Sequence, residues 1–204
     1  MNSSDLTARH RVSLRAIFGW PQTLFILGGL ILVSSARAVP LREGSNYSLS
    51  FNDVDGKQHS TANGHVTVIT VVTRRDEVKA DTVGERVTHV TLGDPKFALI
   101  NLVNFQQNIL SPLRGMVSVM IRHRLDSEAT EIQKKYDKMQ IKRKARDDIF
   151  VVADFDGKAM TQLGMDPTSS EFAVFIFDGR GRLVRRWSDV PSADAVTQAL
   201  KEAR

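Results

Sequence analysis

The spacing of apolar and polar residues changes several times along the chain, and each change marks an element. Residues 47–51 alternate, as a half-buried strand does, and Asp55-Gly56 turns the chain back through 57–60 as a hairpin. Residues 66–72 are nearly all apolar and rich in β-branched side chains, which predicts a central strand covered on both faces. A helix is expected from about Asp76 to Val87, with Val78, Thr82, Val83 and Val87 on its buried side and Thr73 or Asp76 as its cap. Gly93-Asp94-Pro95 breaks the chain before a second apolar strand at 97–105.

Ser111-Pro112 opens a helix in which Leu113, Met116, Val117, Met120, Ile121 and Arg124 follow helical spacing. A separate helical stretch is expected at 127–146, with a sparse apolar stripe of Ile132, Tyr136 and Met139. Strands follow at 149–153, 172–177 and 183–187, with a short helix ending at Leu163 after Asp156-Gly157. Ser192 caps a last helix carrying Val196, Leu200 and Ala203 on one face. Strands that alternate with helices require a mostly parallel sheet with helices on both faces, and the closing hairpin adds an antiparallel edge.

The first 38 residues stand apart from this pattern. Arg9, Arg11 and Arg15 precede an apolar run over residues 24–33, and Ala36-Arg37-Ala38 places small residues where a signal peptidase reads. The run is about half the ~20 residues that a spanning helix needs. The expected division is therefore a signal peptide at 1–38 and one domain at 39–204. The alternative is an uncleaved signal that anchors the chain in the inner membrane. Of the net charge of +5, most comes from arginines in this leader, so the basic balance says little about a nucleic-acid partner. The chain contains no cysteine. That excludes thiol–disulfide exchange, cysteine nucleophiles and cysteine metal sites.

The order of elements is that of the thioredoxin fold, an α/β fold with a mixed central sheet, helices on both faces and, here, an N-terminal β-hairpin. Two segments carry the resemblance. Gly64-His65-Val66-Thr67-Val68-Ile69-Thr70-Val71-Val72 resembles the GKVVLVNFW strand that leads into the active site of periplasmic thioredoxin-like and peroxiredoxin-like proteins. Phe175-Ile176-Phe177-Asp178-Gly179-Arg180-Gly181-Arg182-Leu183-Val184 resembles their FLIDRDGRIV hairpin. The chain also resembles a group of uncharacterised periplasmic proteins of this layout, the YtfJ type. Counted from Gly64, the family's CxxC falls on Asp76-Glu77-Val78-Lys79. The resemblance further implies a residue facing that site from the start of the fourth core strand, where the family has a cis-proline. Phe172 and Pro167 are the two candidates here.

Candidate binding residues follow from this alignment. Arg74, Arg75, Asp76 and Lys79 stand at a helix N-terminus, where free N–H groups and flanking cations can hold an anion or a partner. A basic stretch, Lys134, Lys135, Lys138, Lys142, Arg143, Lys144 and Arg146, is diluted by Glu131 and Asp137 alone and suits anionic headgroups or an acidic protein. His59, His65, His89 and His123 lack metal-ligand spacing. The two Asp-x-Asp-Gly runs, at Asp53 and Asp154, lack the glutamate of a calcium loop and read as turns. No metal, cofactor or nucleic-acid partner is expected, and no catalytic residue is assigned. The expected protein is an exported, periplasmic monomer that binds a protein or small ligand without catalysis. One alternative is a non-thiol enzyme using Asp76 or Glu77; another is a membrane-surface protein using the basic stretch at 134–146.

Overall fold

A computed structural model describes residues 39–73, 75–106 and 108–204. The expected signal peptide and Arg74 lie outside the described residues. The strands are β1 (Ser50–Asn52), β2 (Gln58–Ser60), β3 (Val66–Val72), β4 (Phe97–Asn104), β5 (Phe150–Asp154), β6 (Ala173–Phe177) and β7 (Leu183–Trp187). The helices are α1 (Glu77–Thr91), α2 (Ser111–Lys138), α3 (Lys158–Gln162) and α4 (Ala193–Glu202).

β1 and β2 pair as a hairpin, and the other strands form one sheet in the order β5-β4-β3-β6-β7. β3, β4 and β5 run parallel, whereas β6 is antiparallel to β3 and β7 to β6. β3 lies at the centre with every residue buried, as its unbroken apolar run requires. The chain steps from β3 through α1 to β4 and through α2 to β5 in one direction across the sheet. Right-handed crossovers then put both helices on the same face. Val83 and Val87 of α1, Val117, Ile121 and Leu125 of α2, and Val196 and Leu200 of α4 share one core with Val68 and Val72. α3 returns the chain to β6 and covers the other face, where Met160 and Leu163 meet Ile69, Val71, Phe175 and Phe177.

Both edges of this sheet are covered. At the β5 edge the hairpin tip closes over the strand: the Val54 amide donates to the Val151 carbonyl at 2.9 Å, and Arg122 donates to the Val54 carbonyl at 2.8 Å. At the β7 edge the incoming chain pairs with the strand: the Gly44 amide donates to Leu183 at 2.7 Å and the Leu183 amide to Ser45 at 2.9 Å. Covered edges cannot template pairing with another chain.

Three expectations are corrected. The two helices expected between Ser111 and Arg146 are one helix of 28 residues that ends at Lys138. Leu125 and Ala129 are buried and continue the four-residue spacing of Val117 and Ile121 straight through the polar stretch at 126–128. Val78 and Thr82 are not on the buried side of α1, which consists of Ala80, Val83, Gly84, Val87 and Thr91. At about 100° per residue, positions 78 and 82 point well away from that stripe. Met139, placed on an apolar stripe with Ile132 and Tyr136, is 58% exposed because the helix stops before it.

Candidate functional site

β3 delivers the chain to Thr73, and the next residues turn it into α1. Asp76 is the residue before the helix and is buried. Its Oδ2 accepts hydrogen bonds from the Thr73 amide at 2.9 Å and the Thr73 hydroxyl at 2.6 Å. The Asp76 amide returns a bond to the Thr73 carbonyl at 3.1 Å. The carboxylate therefore locks the turn and does not cap the helix N–H groups, so of the two caps the sequence offered, Thr73 or Asp76, the side chain of Asp76 is not one. Glu77 is half-buried in the first turn, where a negative charge complements the helix dipole. Arg75 is exposed.

Lys79 reaches across to Asp189 at 2.9 Å, with its ammonium 5.4 Å from the centre of the Phe172 ring. The hydrogen bond to Asp189 holds the lysine above its ordinary value, and Lys79 holds Asp189 below its own. Phe172 immediately precedes β6 and is buried. It thus takes the place facing α1, whereas Pro167 lies in the preceding loop with its carbonyl accepting from the Asn104 amide group at 3.2 Å. Of the four aligned positions, Asp76 and Lys79 are engaged within the fold. Val78 faces solvent, 72% exposed.

Apolar residues are exposed at the start of α2 as well. Leu110 is 58%, Leu113 37% and Met116 54% exposed. α2 begins after β4 just as α1 begins after β3, and Val72 pairs with Val103 at the ends of these parallel neighbours. Both helix starts therefore stand at the same pole of the sheet, beyond the carboxyl ends of its strands.

A half-buried pair of charged side chains on α2 escaped the sequence reading. Glu128 of α2 has an Oε1 that is buried and finds no hydrogen-bond partner among the described residues; the same holds for Nη1 of Arg124 one turn earlier. Burial pushes the Glu128 carboxyl up to about 7, the Asp81 carboxylate on α1 adds to the rise, and Lys135 opposes it. The available signal was position alone: Arg124 and Glu128 sit on the side of α2 that also carries Ile121 and Leu125.

The basic stretch divides by residue type. Arg146 bridges Asp126 at 2.8 Å and Asp55 of the hairpin at 2.5 Å, and Arg143 pairs with Asp148. Lys134 pairs with Glu131 at 2.6 Å. Lys135, Lys138, Lys142 and Lys144 make no ion pair among the described residues. Only Lys134, Lys135 and Lys138 are on the helix; Lys142, Arg143 and Lys144 lie in the loop beyond it, and Arg146 lies in a short 3-10 turn.

The remaining candidates have structural work. Asp53 Oδ1 accepts from the amides of Asp55 and Lys57, both at 2.9 Å, and Oδ2 lies 2.7 Å from Nε2 of the buried His59. Asp154 Oδ2 accepts from the Met160 amide at 2.8 Å at the start of α3. His65, His89 and His123 are exposed.

No family model matches the sequence, and no curated protein is similar to it. Solved structures do resemble it. A peroxiredoxin-like protein from Aquifex aeolicus superposes with a TM-score of 0.53 at 15% identity, over 82% of this chain and 91% of that one. BsSco, a member of the Sco family of cytochrome c oxidase assembly proteins, gives a TM-score of 0.50 at 11% identity, over 80% of this chain and 97% of that one. The chain has a thioredoxin-like fold. The fold is kept while the thiols are absent, since the sequence holds no cysteine. No helix among the described residues is long and apolar enough to cross a membrane.

Proposed function

We propose that this chain is an extracytoplasmic thioredoxin-like module that binds a partner protein, without thiol redox chemistry, at the pole where α1 and α2 begin. The observation that carries the reading is the exposure of Val78, Leu110, Leu113 and Met116 together at this pole. Exposed apolar groups gathered in one place mark interaction surfaces more often than scattered ones do. The carboxyl ends of strands are also where open α/β sheets hold ligands. The leader pattern at 1–38 supplies the compartment.

Use of Asp76 as a general acid or base is the weaker reading. Oδ2 of Asp76 already accepts two hydrogen bonds from Thr73, and its side chain is buried under the turn that it closes.

The test places a photo-crosslinking residue at Val78, at Met116 or, as a control, at Lys201, and exposes each protein to an extracytoplasmic extract. A partner captured from positions 78 and 116 but not 201, and lost in Val78→Lys/Met116→Lys with unchanged thermal melting, is the expected result. Equal capture from all three positions would remove the proposed surface. Thiol–disulfide turnover above background in the purified protein would remove the non-redox assignment.

A further inference from the structure

The opposite pole carries a different surface. α2 is 28 residues long, about 42 Å at 1.5 Å per residue, so its last turn lies far from the apolar pole. The chain leaves the helix at Met139 and runs through a loop that is firmly held. The Gln133 side chain accepts from the Ala145 amide at 2.9 Å and donates to the Arg143 carbonyl at 3.2 Å. The Tyr136 hydroxyl donates to Asp148 at 3.0 Å, and the Ile141 amide donates to the Tyr136 carbonyl at 2.9 Å. Arg143 and Arg146 close the loop onto Asp148, Asp126 and Asp55.

Both arginines are thus consumed inside the molecule, while exposed lysines remain unpaired around an exposed methionine. Lys138, Lys142 and Lys144 are exposed and form no ion pair among the described residues, and Met139 stands 58% exposed beside them. Lys138 in the last helical turn has a bland explanation, because a cation there complements the helix dipole. Lys142 and Lys144 lie beyond the helix, out of reach of that dipole. Arginine recognises planar anions through a rigid fork, whereas lysine offers a flexible, hydrated point charge. A rigid loop that turns its arginines inward and displays lysines and a thioether outward suits a diffuse anionic surface with an apolar interior better than it suits one shaped acidic ligand.

We propose that the pole carrying Lys138, Met139, Lys142 and Lys144 docks on an anionic lipid surface. Bound in this way, the domain holds the pole of Val78, Leu113 and Met116 away from the membrane. The lysines set the affinity through charge, and Met139 enters the boundary between headgroups and acyl chains. Each lysine near such a surface is worth about fivefold in partitioning at physiological salt. This surface is independent of the one proposed for partner capture.

The experiment is co-sedimentation of the full chain with vesicles of phosphatidylcholine alone, or with roughly one-third phosphatidylglycerol to give a negative surface potential. The apolar run at 24–33 contributes alike to both, and Arg9, Arg11, Arg15 and Arg37 of the leader are changed to Gln in every protein compared, so the readout is the gain that the anionic lipid produces through the folded domain. Expected is a clear gain that falls by at least about tenfold in Lys138→Glu/Lys142→Glu/Lys144→Glu, and that added salt also removes. The matching triple arginine variant keeps it. Met139→Ser weakens binding without altering its dependence on salt. A gain that is absent in wild type, or unchanged in the glutamate variant, overturns the proposal. So does a wild-type protein that ignores the vesicles but binds an acidic peptide through the same lysines. Crosslinking from Val78 reports separately on the partner surface, so failure here leaves that reading to its own test.

Discussion

Glu128 shows how far one side chain can depart from what its type suggests. A glutamate in a charged helical stretch reads as solvated, yet this one is half-buried on α2 with its carboxyl raised by burial, and by the Asp81 carboxylate of α1, from 4.5 to about 7. The raised value means the folded state holds the proton more tightly than the unfolded chain does. Stability from this group is therefore complete below about pH 4.5 and is lost as pH rises toward 7. Glu128→Gln keeps the shape and removes the titration. The variant is expected to match wild type near pH 4 and to exceed it at pH 8 by on the order of 2 kcal/mol, as measured by urea unfolding at both values. Equal stability at pH 8 would show that the carboxyl is not desolvated as the structure has it. Asp76 makes the complementary point. Its place after a strand and before a helix was readable, but its choice of Thr73 over the helix N–H groups was not. Both options lie within reach of a short carboxylate, and the turn geometry selects between them.

At the scale of elements, the central strands were legible because burial on both faces leaves an unbroken apolar run, as in Val66–Val72. α2 was misread at both its middle and its end. Its middle looked interrupted because Asp126, Ser127 and Glu128 are polar, although Leu125 and Ala129 keep the core face continuous. Its end looked helical because lysine and arginine are good helix formers. What stops it is a local turn that its residue types do not advertise. Gln140 takes φ +57°, its amide donates to the Asp137 carbonyl at 3.1 Å and the Ile141 amide to the Tyr136 carbonyl at 2.9 Å. The Gln133 side chain, bonded to Ala145 and Arg143, then holds the loop that follows. Gln133→Ala leaves the Ala145 amide without its acceptor. It is expected to cost about 1–2 kcal/mol and to speed hydrogen exchange at Ala145, while exchange in β3 changes little. Unchanged exchange at Ala145 would mean that the arginine ion pairs alone hold the loop.

At the scale of the whole molecule, the sheet is closed off by the chain that enters and by the hairpin that follows it. The entry segment crosses the β6–β7 turn at Gly181, whose φ is +81° and whose missing Cβ leaves room for the Tyr47 carbonyl. Gly181→Ala combines a left-handed backbone with a backbone clash, so it is expected to cost more than about 2 kcal/mol. The lesion should release residues 44–47 first, seen as early proteolysis there and as concentration-dependent aggregation through the bared β7 edge. A variant that melts like wild type would show that the entry segment does not support the edge. The same scale separates the two proposed surfaces, since one long helix begins at the apolar pole and ends at the lysine pole.

Taken alone, the sequence determined that no thiol chemistry is available, that the core is a mostly parallel α/β sheet with an antiparallel end, and that a helix starts at about Asp76. Composition and local periodicity suffice for these, because each depends on residues close together in the chain. Tertiary structure decided which charges remain free. Arg146 meets Asp55 from 91 positions away, Lys79 meets Asp189, and Phe172 rather than Pro167 faces α1. A side chain's charge is written in the sequence, but whether it is neutralised depends on partners that only folding brings within a few ångströms.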